Sequence, residues 1–426
     1  MEAKIDLKEA MSIGIGGMVG GGIFAVLGLA VGLAKGGTPI SFLIAGLIAL
    51  LTSYSYVKLS LVYSDRGGTV RFINEGYGVG VFSGGANNLL WVSYIIMLSL
   101  YASAFGSYAP NLWQITSNAN LNFHLYASSI IIIATIINYY SANVVSKIES
   151  IAVVVKLVIL LFFILVGLYG LTTSEHLNQL APSSWESPLS LLAGGMVIFV
   201  AYEGFELIAN AVPDIKNPSS NIPKAYYGSI IFVIILYVII AGVTVGSLGF
   251  DTIKDAEDYV LAEAAKPILG QIGFTIITIA ALISTFSAIN ASLYGGSRVN
   301  YEIAEKDELP HQFTYKFWNH PVGLAITAIL TLLMVNTLEL ESISTAGSVG
   351  FLLVFAIVNS VGFKLSNKTK GNAFVPALAC VACLVAIIVM LVQHYSTSKL
   401  DVFIALGVVV ICFVLEFIYK KIEQKS

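Results

Sequence analysis

Charge is what this sequence has least of. Of 426 residues, 11% are Asp, Glu, Lys or Arg, 57% are hydrophobic, and the mean hydropathy is +0.85. A soluble domain carries roughly 25% charged residues because its surface faces water. A soluble chain this apolar would expose patches large enough to aggregate. A water-soluble protein is therefore excluded, and a membrane-embedded one remains. A net charge of −3 says nothing about nucleic acid, and no basic tract points to it, so none is expected as a partner.

Cysteine and histidine are scarce too. Cys380, Cys383 and Cys412 all lie in late apolar stretches. The first two form a C-x-x-C inside one apolar run, which reads as small packing residues rather than a redox or zinc pair. The 5 histidines fall in loops or near the ends of apolar runs, with no metal spacing, so neither a metal nor a cofactor is expected. All 11 prolines also lie in loops or near run ends, so any break in mid-membrane has to be made by glycine. No His, Asp or Ser cluster shares one depth, as an intramembrane enzyme would need. A cleavable leader is not expected, because the first run is glycine-rich and followed by others.

What the chain has in quantity is long apolar runs. A span needs about 20 such residues, since the hydrocarbon layer is ~30 Å thick. Twelve runs qualify: 12–34, 40–62, 84–108, 125–142, 149–171, 189–212, 225–248, 268–298, 321–338, 345–363, 373–394 and 400–419. They are continuous rather than alternating, which predicts helices and not a barrel. With both termini in the cytoplasm, 17 of the 22 Lys and Arg fall on the inner side, 4 on the outer, and Lys156 inside a span. That bias sets the orientation as a multi-pass protein of the cytoplasmic membrane. The acidic outer loop Asp251 to Glu263 is expected to form a short surface helix. No extramembrane stretch is long enough for a domain, so residues 1–426 form one transmembrane unit.

Two runs carry weak points. Within Gly14–Gly22, GIGGMVGGG, six of nine residues are glycine, each costing a helix about 0.5–1 kcal/mol relative to alanine. Gly16 and Gly20 make a GxxxG that would let helices pack closely. The run is small on every side, however, which predicts unwinding near Met18–Gly22, with bare N–H groups that suit a carboxylate. The sixth run holds Glu203 and Glu206 around Gly204, in Phe199–Glu206, FVAYEGFE. An ionisable group at that depth costs at least ~2.5 kcal/mol if it faces lipid, so it should face a cavity or a partner. Glu206 can cap the second half-helix or serve binding. Weak points in the first and sixth runs are the mark of an inverted repeat of five spans. Lys156 lies six residues into Ile151–Leu171 and has two readings. Its amine can snorkel to the interface, or it can point inward as a tie to oxygens of the eighth run, among them Ser284, Thr285, Ser287 and Asn290.

With these residues in view, five ordered segments resemble the amino acid–polyamine–organocation (APC) superfamily, in the manner of a prokaryotic amino acid permease. They are GIGGMVGGGIF, GGTVRFINEGYG (67–78), NVVSKIESIAVVVK (143–156), FVAYEGFELIANAVPDIKNPSSNIPKA (199–225) and STFSAINASLYGGSRVNYEIAEKDELP (284–310). The resemblance implies an all-α integral membrane protein of 12 transmembrane helices. Its fold is a LeuT-like 5+5 inverted repeat with discontinuous helices 1 and 6. Repeat 1 would cover about 10–172, repeat 2 about 188–364, and helices 11–12 about 372–420. It implies amino acid transport by alternating access. The amides of Gly20, Gly21 and Gly22 would hold the substrate carboxylate, and the carbonyls of Met18, Val200, Ala201 and Glu203 its ammonium. This chain has Gly21 where many relatives have serine, and Val200 where several carry an aromatic gate. The resemblance also implies that Lys156 takes the place of a sodium ion, reaching the Gly20 carbonyl and the Ser287 hydroxyl and coupling symport to protons. Exchange, or transport of cationic amino acids or polyamines prompted by Glu203, are the alternatives. Expected pocket walls are Tyr94, Tyr101, Tyr202, Phe205, Ser284 and Asn290. Substrate, protons and lipid are the expected partners, with no obligate protein partner.

Overall fold

The apolar runs become helices because backbone polar groups without water must bond within their own segment. The computed structural model describes residues 5–65, 67–140, 142–306, 308, 315–317 and 320–423. Lys4, Arg66 and Lys425, used for the expected orientation, lie outside these residues. So do the side chains of Lys147, Arg298 and Lys316, and the end of the last family-like segment at Leu309 and Pro310.

The helices are α1 (Leu7–Met18), α2 (Gly22–Ala34), α3 (Thr38–Val62), α4 (Gly68–Tyr77), α5 (Val81–Tyr108), α6 (Ala119–Tyr140), α7 (Ala142–Leu171), α8 (Pro188–Val197) and α9 (Ile208–Ala211). They continue with α10 (Pro218–Ser247), α11 (Phe250–Asp255), α12 (Val260–Glu263), α13 (Lys266–Glu305), α14 (Val322–Thr337), α15 (Leu340–Lys364), α16 (Ser366–Thr369), α17 (Phe374–Thr397) and α18 (Lys399–Glu423). Among the described residues the strands amount to one two-residue antiparallel pair, Lys316–Phe317 with His320–Pro321.

Among the described residues ten helical stretches are long and apolar enough to cross a bilayer, one of them the continuous run from α8 through α9, and the bent pair α1 and α2 brings the total to 11. The run expected at 321–338 gives α14, whose 16 residues reach only about 24 Å. The run at 268–298 differs as well. α13 kinks at Gly270, whose φ of 61° and ψ of −152° are open to glycine but strained for other residues. The acidic loop forms α11, a 3₁₀ turn at Glu257–Tyr259 and α12. α11 is the expected short surface helix, with Asp251, Thr252, Lys254 and Asp255 exposed, but the loop then turns inward: Val260, Leu261 and Ala262 are buried and the Glu257 carbonyl presses on Gly28 of α2.

α5 and the sixth span are almost wholly enclosed, while α6, α17 and α18 turn most of their surface outward. α10 packs on α1 and α3, and α13 on α5 and α7. Both ends of the described chain reach one face of the bundle. There Ile5 bridges to Ile215, and Asn88 of α5 donates to Glu416 of α18 at 3.0 Å. On that face Glu308 is fully buried, accepting from Asn87 (2.6 Å), Ser83 (3.0 Å) and Asn74 (3.4 Å). Burial raises its carboxyl above the usual carboxylate range, and these three donors pull the other way. Cys383 is buried against Thr52 and Asn359, at 3.7 and 3.8 Å from its sulfur, as a packing residue would be.

Candidate functional site

An α-helix that stops in mid-membrane strands its last carbonyls and the first N–H groups of whatever follows. α1 stops at Met18, α2 starts at Gly22, and the axis turns by 47° between them. The carbonyls at this break are served mostly by side chains. Gly16 O accepts from the Lys156 ammonium at 3.0 Å. Met18 O accepts from the Tyr237 hydroxyl at 2.6 Å. Val19 O and Gly20 O share the Ser284 hydroxyl, at 3.1 and 2.7 Å. Gly21 O takes the Ala25 N–H at 2.9 Å. Leaving such a group buried and unmet costs about 1–3 kcal/mol, so Lys156, Tyr237 and Ser284 hold the break open. The N–H side is different. The amides of Gly20, Gly21, Gly22, Ile23 and Phe24 have no acceptor among the described residues. They form a row of donors at the start of α2.

Lys156 is fully buried, so it points inward and does not snorkel. Its geometry departs from the expected one. The amine reaches Gly16 rather than Gly20, and no hydrogen bond joins it to Ser287 among the described residues. The reason is local: Ser284, one turn before Ser287 on α13, takes the Gly20 carbonyl.

The sixth span does not unwind at Gly204. From Ile198 to Leu207 it winds more tightly, as ten residues of 3₁₀ helix between α8 and α9. Its carbonyls, including those of Val200, Ala201 and Glu203, therefore stay in an i→i+3 ladder rather than standing bare. With three residues per turn the side chains sort into three columns. Phe199, Tyr202 and Phe205 form the first. Phe205 stacks among Tyr56, Tyr226 and Phe355, and the Tyr202 hydroxyl donates to Phe42 O at 2.9 Å. These two aromatics belong to the core, not to a wall of the break as expected. Ala201 and Gly204 form the second column and touch the first span directly. A β-carbon on Gly204 would lie 2.6 Å from Gly17 Cα, and one on Gly22 2.8 Å from Ala201 Cα. The close glycine contact is thus Gly17 on Gly204, across the two spans. The Tyr237 hydroxyl also approaches Ala201 O at 3.4 Å, linking the bent first span to the 3₁₀-wound sixth.

Val200, Glu203 and Glu206 form the third column. Val200 N–H donates to Ser348 at 3.2 Å, and Ser344 and Ser348 both donate to Val197 O. Glu206 accepts from the Tyr94 hydroxyl and from Thr69 at 2.7 Å, tying the span to α5 and α4. It caps nothing. Glu203 is 2% exposed, and its Oε2 has no hydrogen-bond partner.

Of the other expected walls, the Tyr101 ring does lie on the break, its Cγ 3.0 Å from where a Gly21 β-carbon would sit and its Cδ1 nearer still. Thr285 and Ala288 of α13 flank Gly21 and Gly20. Asn290 instead accepts from Asn138 at 3.0 Å and ties α13 to α6. Tyr237, Thr69, Ser344 and Ser348 are participants the sequence reading missed. They sit in ordinary apolar or loop-flanking stretches, and only their contacts single them out.

A bent span and a 3₁₀-wound span in backbone contact, inside a bundle of apolar helices, define the class: a polytopic membrane protein built around interrupted helices. Residues 5–415 match the amino acid permease family, and the chain belongs to it, within the APC superfamily. It is 32% identical to an uncharacterised protein of Methanocaldococcus jannaschii, over 99% of this chain and 97% of that one. It is 30% identical to the inner membrane transport protein YbaT of Escherichia coli, over 98% and 96%. A third relative, cationic amino acid transporter 7 (chloroplastic) of Arabidopsis thaliana, is 24% identical over 93% of this chain and 72% of its own length. The family is one of transporters, not enzymes.

Proposed function

We propose that the chain is a secondary active transporter of amino acids across the cytoplasmic membrane, working by alternating access. The row of unpartnered amides from Gly20 to Phe24 carries this reading, because it meets a carboxylate with several donors and the positive end of α2. The substrate ammonium goes to Met18 O and Ala201 O, the two carbonyls that Tyr237 now bridges. Family membership supports amino acids as the cargo.

The reading includes twelve crossings, with α14 as the ninth and both termini cytoplasmic, in line with the Lys and Arg bias. It arranges the first ten crossings as two inverted repeats, about 10–172 and 188–364, with helices 11–12 at about 372–420 beside them. It gives Lys156 the role of a sodium ion: a buried ammonium on Gly16 O holds the bend in α1, and its proton is lost when the bend moves. Ser284 supports that bend, with Ser287 behind it. Transport is then proton-coupled symport rather than exchange.

The test is a thermal-shift screen of the purified protein against the common amino acids at two pH values, followed by uptake into proteoliposomes. Wild type should accumulate its substrate when a pH gradient is imposed. Lys156→Ala should bind without pH dependence. If Lys156→Ala keeps pH-driven uptake, the coupling role is wrong. If wild type accumulates substrate only against preloaded amino acid, the protein is an exchanger.

A further inference from the structure

Glu203 and Glu206 share one column of the 3₁₀ segment and are equally enclosed, yet only one is provided for. Glu206 has Tyr94 and Thr69. Glu203 has neither a hydrogen bond nor an ion pair among the described residues. A carboxyl group enclosed at that depth without donor or counter-charge is costly, and such groups persist where they meet a ligand. Its place is specific. Glu203 is flanked by Ala201 and Gly204, which touch Gly22 and Gly17, so it stands beside the break. It lies within coulombic reach of the Tyr94 and Tyr101 hydroxyls of α5. The Tyr101 ring in turn covers Gly20 and Gly21. Tyr101 is thus the side chain near both the free amides and the Glu203 carboxyl group.

We propose that Glu203 receives the distal cationic group, ammonium or guanidinium, of a basic amino acid whose carboxylate lies on the amides of Gly20 to Phe24. The proposal rests on the amino acid transport argued above and deepens it by assigning the substrate's side chain. The Tyr101 ring packs against the aliphatic stem and, with Tyr94, offers a cation an aromatic face. A second feature agrees. On the face opposite the chain ends, a cleft of about 500 Å³ opens beside Leu29 and Ser103, two residues along α5 from Tyr101. Glu257, Asp258, Glu339 and Glu341 line it, which concentrates cations at the mouth.

The experiment is competition against labelled lysine in counterflow, with the full chain in proteoliposomes. The competitors are lysine, its uncharged near-isostere norleucine, and putrescine, which has two ammonium groups and no carboxylate. Lysine should compete at least about ten-fold better than norleucine or putrescine, the equivalent of one charge-assisted hydrogen bond. Glu203→Gln should bring lysine and norleucine within about two-fold of each other, and Glu203→Asp should keep part of the preference. Norleucine matching lysine in wild type overturns the proposal without needing any variant to fold, and leaves amino acid transport standing. Putrescine matching lysine overturns the amino acid assignment. A lysine preference that survives Glu203→Gln overturns the role of Glu203. If no common amino acid binds or moves, the transport reading itself fails.

Discussion

Gly204→Ala tests the contact between the two interrupted spans most directly. The added methyl carbon would sit 2.6 Å from Gly17 Cα, with Gly17 C and Met18 N nearer still. Carbon contacts settle at about 3.5–4.0 Å, so the spans must part by roughly 1 Å. Both sides of the contact are backbone, which leaves no side chain to swing away. Overpacking of this kind costs about 1–3 kcal/mol, and the gain in helix propensity returns at most about 1 kcal/mol. The net loss should lower Tm by only about 1 °C per kcal/mol, because an unfolding entropy of about 2.1 cal/mol/K per residue acts over 426 residues. Transport should suffer far more than stability, because a ~1 Å displacement of binding groups can cost on the order of 100-fold. The control is Gly32→Ala, in α2, where a β-carbon meets nothing within 4 Å; it should leave Tm unchanged or higher and uptake intact. The assay is a thermal melt in detergent beside initial uptake rates in proteoliposomes. A Gly204→Ala protein with wild-type melting and uptake would refute the packing argument.

Tyr237→Phe removes the donor shared by Met18 O and Ala201 O; the substrate-free protein should lose about 1–3 kcal/mol while apparent amino acid affinity holds or rises, since a competitor for the carbonyls is gone. Weaker binding at unchanged melting temperature would count against that. Ser284→Ala leaves Val19 O and Gly20 O without their donor and should lower Tm by an amount similar to Tyr237→Phe, whereas Ser287→Ala should do so much less; equal effects would contradict the geometry. Burial, and then the charges of Asp258 and Glu341, raise the Glu257 carboxyl above the usual carboxylate range. The folded state therefore holds that proton more tightly than the unfolded chain, and the destabilisation is complete above the folded value and gone below the ordinary carboxylate range. Glu257→Gln should accordingly raise Tm at pH 7.5 and lose that advantage toward pH 4, and a pH-independent difference would rule this out.

Most of the helices could be read from the sequence because a bilayer makes length and hydropathy sufficient. The first break could be read as well: six glycines on all sides of one helix are more than a single packing stripe needs, and the structure stops α1 at Met18. The side chains that close the break could not. Ser284 and Ser287 are one turn apart on one helix, and nothing in spacing tells which reaches the Gly20 carbonyl. That depends on how far α13 slides along α1. Tyr237 is a tyrosine in an apolar run like Tyr227 or Tyr226, and its hydroxyl matters only because α10 lies across both interrupted spans. α14 shows the limit from the other side. Its run is apolar over about a span's length, but Pro321 is drawn with His320 into a strand pair and the helix keeps 16 residues.

In the sixth span the difference from the sequence expectation lies in the period rather than the content. Read at 3.6 residues per turn, FVAYEGFEL scatters its aromatics and acids around the helix, and Gly204 looks like the place where it falls apart. Read at three, the same letters stack as Phe-Tyr-Phe, Val-Glu-Glu and Ala-Gly-Leu, which are the three faces the structure buries against different neighbours. Tight winding has a reason. It lets Ala201 and Gly204 present one narrow small face to Gly22 and Gly17, which a looser helix would rotate out of line within a turn. The same stacking puts Glu203 and Glu206 on one side, so their different fates follow from what stands opposite. α4 brings Thr69 and α5 brings Tyr94 to the second acid. The first has no such donor opposite it among the described residues, and its Oε2 stays without a hydrogen-bond partner. An acid so placed by a regular winding, and not by a distorted one, is held in position before any ligand arrives.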